Sequence, residues 1–131
     1  MHAYCRWLGE DGRSYGLPTR EQWEVSARGP EPRLYPWGDE PSSGSCNGNE
    51  ARLARTTDVR EHAAGDSPAG CRQMAGNVFE WLSHDDGGSR YMRGGSFATA
   101  AEVFGLTFFE MQIGGGEGFQ TEQVGFRVVR S

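Results

Sequence analysis

The chain has 131 residues, a length that suits one domain with a single core. Only 36% of its residues are apolar, against 20 glycines and four tryptophans, which points to a loop-rich domain with aromatic packing and away from a helical bundle. The net charge of −5 argues against non-specific nucleic-acid binding, and no apolar run approaches the roughly 20 residues of a membrane helix.

Residues 2–9 place Ala3, Trp7 and Leu8 on one face of a short helix that Gly9 ends. Leu17-Pro18 leads into a second helix. Thr19 is a good N-cap, Gln22 completes a capping box, and Trp23 and Ala27 form the buried face before Arg28 and Gly29. Residues 29–52 read as loop, because Pro30, Pro32, Pro36 and Pro41 alternate with Gly38, Gly44 and Gly48. Asn47, Asn49 and Glu50 lie close together there, a set of oxygens that suits a hard cation. Residues 74–81, Met-Ala-Gly-Asn-Val-Phe-Glu-Trp, form a polar turn followed by apolar residues around one carboxylate, Glu80. Chemistry alone leaves Glu80 either in a salt bridge on a strand or as a cation ligand beside local carbonyls. Residues 82–90 read as a turn-rich loop, Tyr91-Met92-Arg93 as a strand, and Val124 to Val129 as the last strand with Phe126 and Val128 on one face. The three cysteines, Cys5, Cys46 and Cys71, are too few for a disulfide scaffold, and neither they nor the three histidines have zinc-ligand spacing.

Six pieces in register carry a resemblance. They are Leu17-Pro18-Thr19-Arg20-Glu21-Gln22-Trp23-Glu24 with Ala27-Arg28-Gly29, Tyr35-Pro36-Trp37-Gly38-Asp39-Glu40, Cys46-Asn47-Gly48, the 74–81 string, Arg93-Gly94-Gly95-Ser96-Phe97, and Gly125-Phe126-Arg127-Val128-Val129-Arg130. Together they resemble the formylglycine-generating-enzyme (sulfatase-modifying factor) family, a branch of the C-type lectin fold. The resemblance runs from about His2 to Arg130. It implies an α+β, loop-rich domain over 1–131 with two short helices and a small twisted antiparallel sheet. In that family a stretch of strands and loops precedes the first helix. The expectation is therefore a sheet open to a second copy or to a partner chain that completes it.

The resemblance also implies sites. One calcium position maps onto the Gln73 side chain, the Gly76 and Val78 carbonyls and the Glu80 carboxylate, with Gln73 standing where the family has Asn. A second takes Asn47, but its later acidic partner falls near Ala51. The copper-holding cysteines of the enzymes would lie a few residues after Gly94-Gly95-Ser96, and this chain has no cysteine after Cys71. Copper(I) is soft and needs such thiolates, so copper is not expected. An ergothioneine-type sulfoxide synthase would hold iron through three histidines of a separate domain, so iron is not expected in this chain either. The segment between Phe97 and Val124 forms the exposed surface in this fold. It has Glu102, Glu110, Glu117 and Glu122 and no arginine, a composition suited to protein, peptide or cationic ligands. This arrangement resembles the variable proteins of diversity-generating retroelements. The expected function is a non-catalytic module that binds a protein or peptide through Phe97, Thr99, Glu102, Phe104, Thr107, Phe109, Glu110, Gln112, Glu117, Phe119 and Gln120. The alternative is a fragment or subunit of an oxidising enzyme, either a formylglycine-generating oxidase or a sulfoxide synthase.

Overall fold

The computed structural model describes residues 1–86, 89–105, 110–114 and 120–131. Among the described residues three α-helices, α1 (His2–Leu8), α2 (Arg20–Arg28) and α3 (Ala101–Gly105), and three short 3-10 turns accompany six strands. These are β1 (Tyr15–Gly16), β2 (Phe79–Asp86), β3 (Ser89–Arg93), β4 (Glu110–Gly114), β5 (Val124–Gly125) and β6 (Val129–Arg130). The main sheet has the order β4-β3-β2-β5, and β1 pairs with β6 in a separate two-stranded sheet. Pairing in the main sheet is antiparallel except for β5, which runs parallel to β2.

Helix α2 follows its sequence closely. Thr19 Oγ1 accepts from the Gln22 amide (3.1 Å) and Gln22 Oε1 accepts from the Thr19 amide (2.9 Å), so two of the otherwise unpaired donors at the helix start are satisfied. Gly29 stops the helix with φ +71°. Trp23 and Ala27 are fully buried and pack with Met74 and Leu82, flanked by Cys71 and Tyr91. The opposite face of the sheet holds Phe79, Trp81 and Met92, with Met1, Leu17, Met111, Ile113 and Val124 around them. Period-two alternation along β2 sorts Phe79 and Trp81 to one side and Glu80 and Leu82 to the other. A third cluster lies away from the sheet, where Tyr35, Cys46, Ala75 and Phe104 pack beside Trp37 and Ala101.

Four local expectations change. Residues 82–90 are not simply a loop: β2 continues to Asp86 and β3 begins at Ser89, with a register shift between Trp81 and Asp85. Strand pairing here outweighs the turn-forming composition. A third helix, α3, stands after Phe97. The final strand is broken into β5 and β6, because Val124–Gly125 joins β2 while Val129–Arg130 crosses to β1. Phe126, between them, is 39% exposed instead of sitting in the core. Lastly, α1 turns the expected apolar face outward. Cys5 is its one buried residue, and Trp7 (59% exposed) and Tyr4 (45%) form an aromatic ridge with Phe126. Ring centroids within the ridge are 5.6 Å apart for both the Tyr4–Trp7 and Tyr4–Phe126 pairs. The helix packs beside β1 with Cys5 buried, and among the described residues the ridge stays exposed.

Thr19→Ala removes the cap and should cost about 1 kcal/mol, a drop of roughly 3 °C in the thermal midpoint. Trp7→Ser, on the exposed ridge, should change stability by less than about 0.5 kcal/mol. Thermal melts of both variants check the contrast.

Candidate functional site

Strand register sets the site. Glu80 on β2 pairs with Arg93 on β3, which pairs with Glu110 on β4, while Gly125 lies on the other side of Glu80. The row Glu80–Arg93–Glu110 crosses the sheet on the face covered by α2. Glu80 is 6% exposed. Its Oε2 accepts from the Trp23 indole Nε1 (2.7 Å) and from Arg127 Nε (2.6 Å), and its Oε1 accepts from Arg127 Nη2 (2.6 Å). Arg127 Nη2 also donates to the Arg72 carbonyl (3.0 Å). Burial by itself would lower the Arg127 pKa, but the Glu80 carboxylate overrides it and holds the guanidinium above its ordinary value. At the other end, Arg93 donates to Glu24 (2.8 Å) and to Glu110 (3.0 Å), and Arg20 lies 2.8 Å from the same Glu110 oxygen.

These contacts test the calcium positions. Calcium needs oxygen ligands with carboxylate charge among them. Both oxygens of Glu80 are engaged by a guanidinium and an indole, so the cationic partner is already supplied from the chain. Gln73, in the left-handed region at φ +53°, donates Nε2 to the Glu61 carbonyl (2.8 Å), and its Oε1 is enclosed without a partner. Gly76, at φ +77°, approaches Asn47 so closely that an added Cβ would lie 2.5 Å from the Asn47 carbonyl oxygen. Val78 is half-buried beside a cleft of about 300 Å³ that Gln73, Glu80, Phe126 and Arg127 also line. Glu80 is thus engaged by Arg127 and Trp23, while Gln73 Oε1 is the enclosed oxygen left open beside it.

Asn47 is fully buried, and its Nδ2 donates to the Arg55 carbonyl (2.9 Å) and to Asn77 Oδ1 (3.1 Å). Its Oδ1 and Thr57 Oγ1 are buried without partners. The nearby carboxylate, Glu50, instead accepts from the Ala101 amide. The oxygens left open at this position are those of an amide and a hydroxyl. No group of three or more His, Cys, Asp or Glu that could hold a metal occurs among the described residues.

The expected ligand residues that are described separate into three groups. Glu102, Gln112 and Gln120 are exposed. Phe97 and Phe104 are in the core, at 6% and 3% exposure, so neither offers a side chain to a ligand. Phe104 is drawn inward because Gly48 and Gly95 leave a slot for its ring. Thr99 is half-buried and its Oγ1 accepts from the Ser96 amide (2.9 Å), while Glu110 is held by Arg20 and Arg93. Thr107, Phe109, Glu117 and Phe119 lie outside the described residues. Sequence reasoning missed Arg127 as the partner of Glu80. The Gly-Phe-Arg ending was the available signal, since an arginine flanked by apolar strand residues needs a buried anion.

Two outcomes follow. Arg127→Met strands a buried carboxylate and should destabilise the fold by about 3 kcal/mol in denaturant unfolding. Burial, and then the neighbouring Glu50 charge, pushes the Cys46 thiol up to about 11. Its folded pKa therefore exceeds the unfolded value of about 9. The associated stability is complete below pH 9 and is lost as pH rises towards 11. Unfolding free energies should fall by about 1 kcal/mol per pH unit in that window, and Cys46→Ala should flatten the fall.

Comparison with known proteins places this geometry. Residues 1–131 match the sulfatase-modifying factor enzyme 1-like domain family, FGE-sulfatase. "Inactive C-alpha-formylglycine-generating enzyme 2" of Bos taurus is 30% identical over 114 residues, covering 76% of this chain and 36% of that protein. "Hercynine oxygenase" of Mycolicibacterium thermoresistibile is 30% identical over 135 residues, covering 81% and 29%. The chain thus spans about a third of the length of these curated relatives. Among solved structures, Treponema denticola variable protein 1 superposes with a TM-score of 0.71 at 22% identity, over 88% of this chain and 47% of that one, which shows a shared fold. With a family match over its whole length and the motifs seated at the centre of the sheet, the chain belongs to the sulfatase-modifying factor enzyme 1-like (formylglycine-generating-enzyme) family.

Proposed function

We propose that this domain is a non-catalytic ligand-binding module whose 97–123 segment binds a protein or peptide. One observation carries the reading. No cysteine follows Cys71, so the segment in which the enzymes place their copper thiolates has none. The name of the bovine relative, an inactive formylglycine-generating enzyme, supports the same direction. The described, exposed side chains of the segment include Glu102, Gln112, Gln120 and Glu122, and no arginine lies between Gly94 and Phe126. Carboxylates and amides favour partners that bring arginine, lysine or backbone donors. The shared fold with a protein named a variable protein extends the proposal to a segment that changes in sequence while its frame persists.

The second reading is a fragment or subunit of an oxidising enzyme, favoured by the hercynine oxygenase likeness over 81% of the chain. Panning a random-peptide library on the immobilised chain separates the two. The binding reading expects enrichment of basic peptides and at least a tenfold affinity loss in Gln112→Arg. Failure to enrich any peptide, together with stoichiometric copper or iron by elemental analysis, would establish the oxidising reading instead.

A further inference from the structure

The start of the binding segment is tied to one loop that lies far from it in sequence. The Asn49 amide donates to the Thr99 carbonyl (2.9 Å). Both carboxylate oxygens of Glu50 accept from the Ala101 amide at 3.0 Å, at the first residue of α3. Phe104, at the end of the same helix, inserts between Gly48 and Gly95 and packs on Tyr35, Cys46 and Ala75. A Cβ at Gly48 would lie 2.8 Å from the Phe104 ring and 3.0 Å from the Thr99 carbonyl oxygen, and one at Gly95 would clash with the edge of the same ring. At the far end, Ser96 Oγ donates to Gln123 Oε1 (2.7 Å), which brings the two ends of the segment together.

We propose that the 46–50 loop is the platform that orients the binding surface, and that Glu50 is its positioning residue. The inference rests on the binding-module reading for its purpose, but its geometry is independent of any ligand. Glu50 is exposed and belongs to none of the core clusters, so its contact with α3 is not needed to build the fold. A helix of five residues has little stability of its own. Its orientation therefore depends on what holds its two ends, and here those are Glu50 at Ala101 and the glycine slot at Phe104. The division of labour within the segment follows. Phe97, Thr99, Phe104 and Glu110 hold it, and Glu102, Gln112 and Gln120 are left to meet a partner.

Amide hydrogen exchange of the 131-residue chain tests this, read alongside its thermal midpoint. Glu50→Ala should speed exchange of the Ala101–Gly105 amides about fivefold to tenfold, with the midpoint and the Trp23 and Trp81 indole signals unchanged. Glu50→Gln, which keeps one acceptor oxygen, should restore part of the protection. Unchanged exchange in Glu50→Ala overturns the proposal. So does a rise spread across the whole chain with a falling midpoint, since Glu50 would then be a general fold residue. Because the readout needs no ligand, it stands apart from the library experiment: either reading can fail while the other survives.

Discussion

The buried carboxylate of Glu80 is the constraint on which the rest depends. A carboxylate at 6% exposure is tolerated only with its charge compensated and its oxygens hydrogen-bonded. Here the compensation comes from two distant parts of the chain, Trp23 on α2 and Arg127 between β5 and β6. Satisfying one anion therefore locks the helix to the sheet and the C-terminal segment to both. It also accounts for the break in the last strand, since the backbone leaves β2 as Arg127 turns its side chain towards Glu80.

The same logic runs outward along the sheet. Arg93 lies next to Glu80 in register, is 8% exposed, and meets Glu24 on α2 and Glu110 on the neighbouring strand. Its guanidinium also sits 5.9 Å from the centre of a Trp23 ring, and Arg20 covers Tyr91 at 4.7 Å. Burying such charges gains little net stability over an apolar core, but each pair is costly to mismatch. The row thus specifies which strands are neighbours and holds β4, the strand that carries Gln112, at a defined place on the sheet.

A frame pinned in this way can leave its exposed segment free to differ. The chain is similar in sequence to a protein named an oxygenase and in fold to one named a variable protein, and fold does not determine activity. Between Ser96 and Gln123 this chain has no cysteine, and among its described residues Glu102, Gln112, Gln120 and Glu122 are exposed.

The sequence by itself determined what depends on near neighbours and on motif order. Thr19 and Gln22 specify a cap three residues across, Trp23 and Ala27 share a helix face one turn apart, and the six ordered motifs identify the family. Tertiary structure alone decided which face of each element is covered and which charge meets which. Periodicity put Trp7 on the apolar side of α1, yet Cys5 is the residue that α1 buries. Phe104 had the composition of a surface aromatic, yet two glycines, at positions 48 and 95, open a slot for it. Glu80 could have served a cation or an arginine, and the arginine is 47 positions away in sequence. The physical reason is common to all three. Burial and charge pairing are settled by contacts between residues far apart in the chain, and local sequence carries the pattern of a face without its partner.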